Sequence, residues 1–259
     1  MPHILPTPDT EDENRVIVIS DVAYRATKTS ALMTDRIPNL HLCAAIDGHQ
    51  CFPFYVYDED GGNRRENITD WALGEFRGHY GTREITKWDI FHYVYGLLHH
   101  PGYRERYAEN LKKELPRVPF APEFSAFRDA GRELSALHLG YEEAEPWPLE
   151  YVWDAKKTPS WRVEKMKLSK DKTAVVVNDT LTLRGIPERA HEYRLGNRSA
   201  VEWVIDQYRV KEDTRSGIVS DPNRSDDEQY IVDLIRRVVR VSVETTRIVD
   251  ALAGKGFRP

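Results

Sequence analysis

Residues 86–107, TKWDIFHYVYGLLHHPGYRERY, decide how the chain is read. Thr86 stands three residues before Asp89, the spacing of an N-terminal capping box, and Trp88, Phe91, Tyr95 and Leu98 follow at steps of three and four. This pattern predicts a helix with an apolar face, stopped at Pro101. His99 and His100 are adjacent, hence on different faces, and suit a helix terminus. Tyr103, Tyr107, Leu111 and Leu115 recur every four residues and predict a second helix, ended by Pro116 and Pro119. A third carries Phe127, Ala130, Leu134 and Leu137 before the acidic run 142–145 and the Pro-Trp-Pro of residues 146–148. Aromatic side chains at helical spacing read as core rather than as base-stacking platforms.

Outward from this helical section (66–150) the pattern changes in both directions. Residues 1–14 are acidic and broken by prolines, which predicts a flexible tail ahead of one region, 15–259. Within 15–65, VIVIS (16–20), HLCAAI (41–46) and FPFYVYD (52–58) read as strands, and DGGN (60–63) as a turn. The Gly-Gly step before Arg64 and Arg65 fits neither a P-loop nor a dinucleotide fingerprint, and reads as a hairpin tip with solvated arginines. Within 151–195, WRVEKMKL (161–168), TAVVV (173–177) and TLTLR (180–184) predict a β-ribbon, its last two strands joined through Asn178 and Asp179. Residues 196–259 predict two helices, capped by Ser199 with Glu202 and by Ser225 with Glu228. The last runs through Ile231, Ile235, Val238, Val241, Thr245, Ile248 and Leu252. The fold class is therefore α+β: mixed short strands, a central helical section, a basic β-ribbon and C-terminal helices.

The 259 residues are 40% hydrophobic and 31% charged, enough for a sizeable core. No apolar run is long enough to span a membrane, and the N-terminus lacks signal-peptide character, so a soluble, cytoplasmic protein is expected. Cys43 and Cys51 are too few to staple such a chain and read as reduced thiols. With His41 and His49 they lack the close pairing of a structural zinc site, so no metal is expected. The net charge is −5, yet Lys156 to Arg215 holds fourteen Lys or Arg against nine Asp or Glu, leaving the remainder at −10. The basic residues are segregated.

The sequence contains no HExxH pair, GxSxG elbow, Walker A loop or activated cysteine, so no catalytic residue is assigned. What stands out is the basic ribbon. Lys156, Lys157, Arg162, Lys165, Lys167, Lys170, Lys172 and Arg184 lie on or beside its strands, with Trp153, Trp161 and Asn178 interleaved. A two-stranded ribbon fits the major groove, where Arg and Lys read guanine, Asn reads adenine, and other cations hold phosphates. Lysines along an exposed strand also guard against aggregation, and spacing alone leaves both readings open.

Three blocks carry a family resemblance: FPFYVYDED (52–60), FHYVYGLLHHPGYRERYAENLKKELPRVPF (91–120) and GNRSAVEWVIDQYRVKEDTRSGIVSDPN (196–223). Their order resembles the C-terminal target-recognition region of type ISP restriction-modification enzymes, over nearly the whole chain. Members join a nuclease, an ATP-driven translocase, an adenine-N6 methyltransferase and this region in one polypeptide that continues upstream of the part matched here. The methyltransferase NPPY-type motif, the Walker motifs and the nuclease carboxylates are absent from this sequence. The resemblance implies that the chain binds specific duplex DNA and positions an adenine for a methyltransferase located elsewhere. The basic residues above, together with Asn178 and Arg198, are then the expected DNA contacts. SAM, ATP and Mg belong to the missing domains, and the methyltransferase, translocase and nuclease domains, on the same or a partner chain, are the expected protein partners. A docking scaffold of a restriction-modification complex, without base readout, is the alternative.

Overall fold

The computed structural model describes residues 3–20, 30–38, 48–111 and 114–257. The chain divides into two compact units, residues 1–139 with 247–259, and residues 140–246.

The first unit begins with helix α1 (Pro8–Glu13), followed by strands β1 (Val16–Ser20), β2 (Ala31–Thr34) and β3 (His49–Pro53) in an antiparallel sheet of order β2-β1-β3. The VIVIS strand forms as predicted, and all five of its residues are buried. Alternation explains this: Ile17 and Ile19 enter the main core, whereas Val16 and Val18 pack with Leu5, Ile4 and Cys51 on the other face. The expected flexible tail is thus the cover of a central strand. Leu5 and Thr10 are buried, and Asn14, fully buried, pins the segment: its Nδ2 donates to the carbonyls of Ile4 (2.7 Å) and Tyr55 (2.9 Å), and its Oδ1 accepts from the Tyr55 N–H (2.9 Å). Acidic composition misled here because most acids of α1 stay exposed while Ile4 and Leu5, ahead of the helix, and Thr10 within it pack inward.

The predicted strand 52–58 is broken. Phe54 turns inward to the core between β3 and β4 (Tyr55–Val56), which pairs with β5 (Arg65–Glu66) around the 60–63 turn. Gly61 at φ +85° makes that turn. Arg64 and Arg65 are not simply solvated: they pair with Glu13 at 2.7 Å and Asp58 at 3.2 Å. The predicted strand 41–46, with His41 and Cys43, lies outside the described residues. Cys51 is a free thiol whose pKa burial pushes up.

Four helices follow: α2 (Asp70–Tyr80), α3 (Lys87–His99), α4 (Pro101–Arg106) and α5 (Phe124–Leu139). The Thr86/Asp89 box forms as predicted, with the Thr86 Oγ1 accepting from Asp89 N–H at 3.1 Å and Asp89 Oδ2 accepting from Thr86 N–H at 2.9 Å. Pro101 ends α3 and opens α4, where its missing N–H costs nothing. The second predicted helix is cut short: α4 stops at Arg106, and Leu115 is 62% exposed. Its stripe loses its partner where the chain turns back, so that Arg117 and Pro119 carbonyls accept from the Tyr103 (2.8 Å) and Tyr93 (2.6 Å) hydroxyls. α3 and α5 meet at two glycines. A Cβ on Gly96 would overlap the Phe127 carbonyl, and one on Gly131 would overlap that of His92 and lie 2.7 Å from Gly96 N.

The second unit holds an antiparallel sheet of order β6-β9-β8-β7: β6 (Glu150–Trp153), β7 (Lys167–Leu168), β8 (Ala174–Val176) and β9 (Leu181–Arg184). The predicted ribbon is therefore part of a four-stranded sheet, and residues 161–166 are irregular rather than strand. Short hairpins β10 (Arg194–Leu195) with β11 (Arg198–Ser199), and β12 (Lys211–Glu212) with β13 (Val219–Ser220), flank helix α6 (Ala200–Gln207). Ser199 caps α6 as predicted. Helix α7 (Tyr230–Ala253), which belongs to this unit as far as Thr246, starts after Asp227, whose carboxylate accepts from Gln229 N–H at 3.2 Å; the expected cap at Ser225 is not used. Its face Ile231, Leu234, Ile235 and Val238 packs with Val175, Leu181 and Leu183 of the sheet.

Candidate nucleic-acid interface

The register of the four-stranded sheet sorts its residues. Leu168, Val175, Leu183 and Tyr151 stand opposite one another in a row, with Val175 and Leu183 fully buried. Neighbours one residue away point to the opposite face, so Lys167, Val176 and Thr182 form one outward row and Arg184 and Glu150, beside the buried Ala174, the next. Lys167 and Arg184 therefore share the outward face. Upstream, Val163 and Met166 are buried while Lys165 and Lys167 flank Met166 and are exposed.

The ten predicted contacts fall into three groups. Lys156, Lys165, Lys167, Lys170 and Arg184 are exposed and make no ion pair among the described residues. Lys157, Arg162, Lys172 and Arg198 are paired, with Asp179 (2.9 Å), Asp221 (2.5 Å), Glu202 (2.9 Å) and Asp206 (2.8 Å) respectively. The Asp179 carboxylate raises the Lys157 pKa, and the Arg162 guanidinium, with Asn223, holds Asp221 down at about 2. Exposed pairs of this kind are weak and exchange readily for a competing anion.

Asn178 forms the third group and corrects the expectation that it reads adenine. Its Nδ2 donates to the carbonyls of Ser160 and Arg162, both at 2.7 Å. Its Oδ1 accepts from Thr180 N–H (2.7 Å), Thr180 Oγ1 (2.9 Å) and Leu181 N–H (2.8 Å). Every hydrogen-bonding position of the amide is occupied, so the residue closes the β8–β9 turn and ties it to residues 160–162. Asn178→Ala should lower stability by about 1–3 kcal/mol, read as a reduced urea midpoint, because five groups lose a partner. An unchanged midpoint would contradict this role.

Trp153 and Trp161 pack edge to face at 4.9 Å against the core of this unit, and so are not free stacking surfaces. The β12–β13 hairpin went unpredicted: its strands are two residues long, below the length at which alternation is readable. It adds exposed Lys211 and Arg215 to the cations of this unit. No group of three or more His, Cys, Asp or Glu among the described residues could hold a metal, and no described helix is long and apolar enough to cross a membrane.

Comparison with known proteins places these observations. The family model described as the Type ISP C-terminal specificity domain matches residues 2–234, and the chain belongs to this family. Solved structures similar to it include three DNA-bound enzymes. A nuclease-deletion mutant of the type ISP restriction-modification enzyme LlaGI, in complex with a DNA substrate mimic, is 36% identical, with a TM-score of 0.77 over 95% of this chain. DrdV in a DNA complex is 40% identical, with 0.82 over 96%, and the ATP-dependent type ISP enzyme LlaBIII bound to DNA is 30% identical, with 0.84 over 100%. The chain spans 21%, 25% and 17% of those three chains, respectively. No curated protein matches.

Proposed function

We propose that this chain is the DNA target-recognition module of a type ISP restriction-modification enzyme. It grips duplex DNA so that a target adenine reaches an N6-adenine methyltransferase domain outside these 259 residues. The observation that carries this reading is the set of exposed, unpaired cations of the second unit: Lys165 and Lys167 flanking buried Met166, Lys167 and Arg184 on one outward sheet face, and Lys156 and Lys170 in adjoining turns. Phosphate contacts from such residues fix register and orientation, and flipping a base out of the stack costs a few kcal/mol that a firm grip on the flanking duplex offsets. The likeness to three enzymes solved with DNA supports the same reading. SAM, ATP and Mg would serve the methyltransferase, translocase and nuclease domains, not this chain.

The double variant Lys165→Glu/Lys167→Glu tests it. Both side chains are exposed, so folding should be unchanged while duplex affinity falls about ten-fold or more, measured by fluorescence anisotropy. Unchanged affinity would mean that these cations guard an exposed edge and that the duplex is held elsewhere; a wild-type chain that binds no duplex would favour docking of other domains instead.

A further inference from the structure

We infer that the β12–β13 hairpin is a base-reading finger that enters a groove of the duplex and sets Ile218 against a thymine methyl. This rests on the DNA-recognition reading above and goes beyond it by assigning direct readout to one side chain.

Ile218 and Val219 are 69% and 56% exposed, and Ile218 is the most exposed large aliphatic residue among those described. A floppy loop would give such exposure no meaning, but this tip is built. Asp213 N–H donates to the Ile218 carbonyl at 2.9 Å and Gly217 N–H to the Asp213 carbonyl at 2.7 Å. The Asp213 Oδ1 accepts from Arg215 and Ser216 N–H at 2.8 and 2.9 Å, and Gly217 takes φ +70°, open to glycine without strain. Ile218 is presented rather than stray.

The root of the hairpin is tied to the segment that carries the unpaired lysines. Val210 N–H donates to the Glu164 carbonyl at 3.0 Å, beside Lys165. Asn223 exchanges two 2.8 Å hydrogen bonds with the Val163 backbone, and Asp221 holds Arg162 at 2.5 Å. The finger thus springs from the proposed phosphate-binding edge. Its own cations, Lys211 and Arg215, are exposed and make no ion pair among the described residues. Of its two acids, Asp213 is engaged by its own turn, and Glu212 lies across from Val219, on the face opposite Lys211. A two-stranded ribbon fits the roughly 12 Å major groove, and an aliphatic side chain there has one apolar mark to read, the C5-methyl of thymine.

The test uses the 259-residue chain and a randomised duplex pool, from which the wild type first selects its site. Each thymine of that site is then replaced singly by deoxyuridine, which removes only the methyl. At one position the wild type should lose about four-fold in affinity. Ile218→Ala should lose a similar factor on the thymine duplex and bind the uracil duplex equally well, with its melting temperature unchanged. Ile218→Val should retain discrimination. If Ile218→Ala keeps the full uracil penalty, binds as the wild type does, or the site contains no sensitive thymine, the finger assignment is wrong while DNA recognition stands. If the wild type selects no sequence, both fall.

Discussion

Gly131→Ala should destabilise the protein by about 3 kcal/mol or more, whereas the same substitution at Gly74 should stabilise it by about 0.5–1 kcal/mol. The two glycines lie in helices, α5 and α2, so propensity alone would favour alanine at both. Packing reverses the sign at one. A Cβ on Gly131 runs into the His92 carbonyl of α3 and comes within 2.7 Å of Gly96 N, and backbone cannot step aside as a side-chain tip can. Around Gly74 there is nothing within 4 Å. Urea denaturation of the two variants beside the wild type checks this, and a stabilised or neutral Gly131→Ala would show that α3 and α5 do not cross as closely as described.

Acid should weaken the fold well above the range where carboxylates titrate. His99 and His138 are buried beside Tyr95: the Tyr95 hydroxyl is 2.6 Å from His138 Nδ1, and His99 Nδ1–H donates to the Tyr95 carbonyl at 2.8 Å. Burial pushes the pKa of His99 well below its ordinary value, with Arg104 and His138 adding to the effect, and takes His138 down to about 3. A histidine whose folded pKa lies below its unfolded 6.5 contributes full stability above pH 6.5. Below that the unfolded chain takes up the proton first, and stability falls by about 1.4 kcal/mol per pH unit for each such residue until the folded pKa is reached. Between pH 6.5 and 5 His138 alone should therefore cost roughly 2 kcal/mol, with His99 adding in the same direction, visible as a falling urea midpoint. His138→Gln, which keeps a hydrogen-bonding group but not the titration, should flatten the slope. A midpoint constant from pH 7 to 5 would contradict the account.

Legibility in the sequence followed the range of the interactions involved. The Thr86/Asp89 and Ser199/Glu202 caps, the VIVIS strand and the apolar face of α7 rest on neighbours within a few residues, and were readable. Features set by distant partners were not. Residues 3–14 pack because β1 needs a cover, Leu115 leaves the helix because no core reaches it, and Asn178 acts on Ser160 and Arg162 rather than on a base. The basic character of the site was visible as a charge count, but which cations are unpaired was not. The partners of Arg162 and Lys172 are Asp221 and Glu202, 59 and 30 positions away. Nor could the glycines of α3 and α5 be told from those of α2, since only the neighbouring backbone separates them.

As proposed, this chain grips duplex DNA through cations on its second unit. The most direct test is the affinity of the purified 259-residue chain for duplex DNA across a series of salt concentrations. With about five phosphates contacted, log affinity should fall against log salt with a slope near −4.5, reduced to about −2.7 by Lys165→Glu/Lys167→Glu. Binding that does not change with salt, or no binding at any salt, would contradict it.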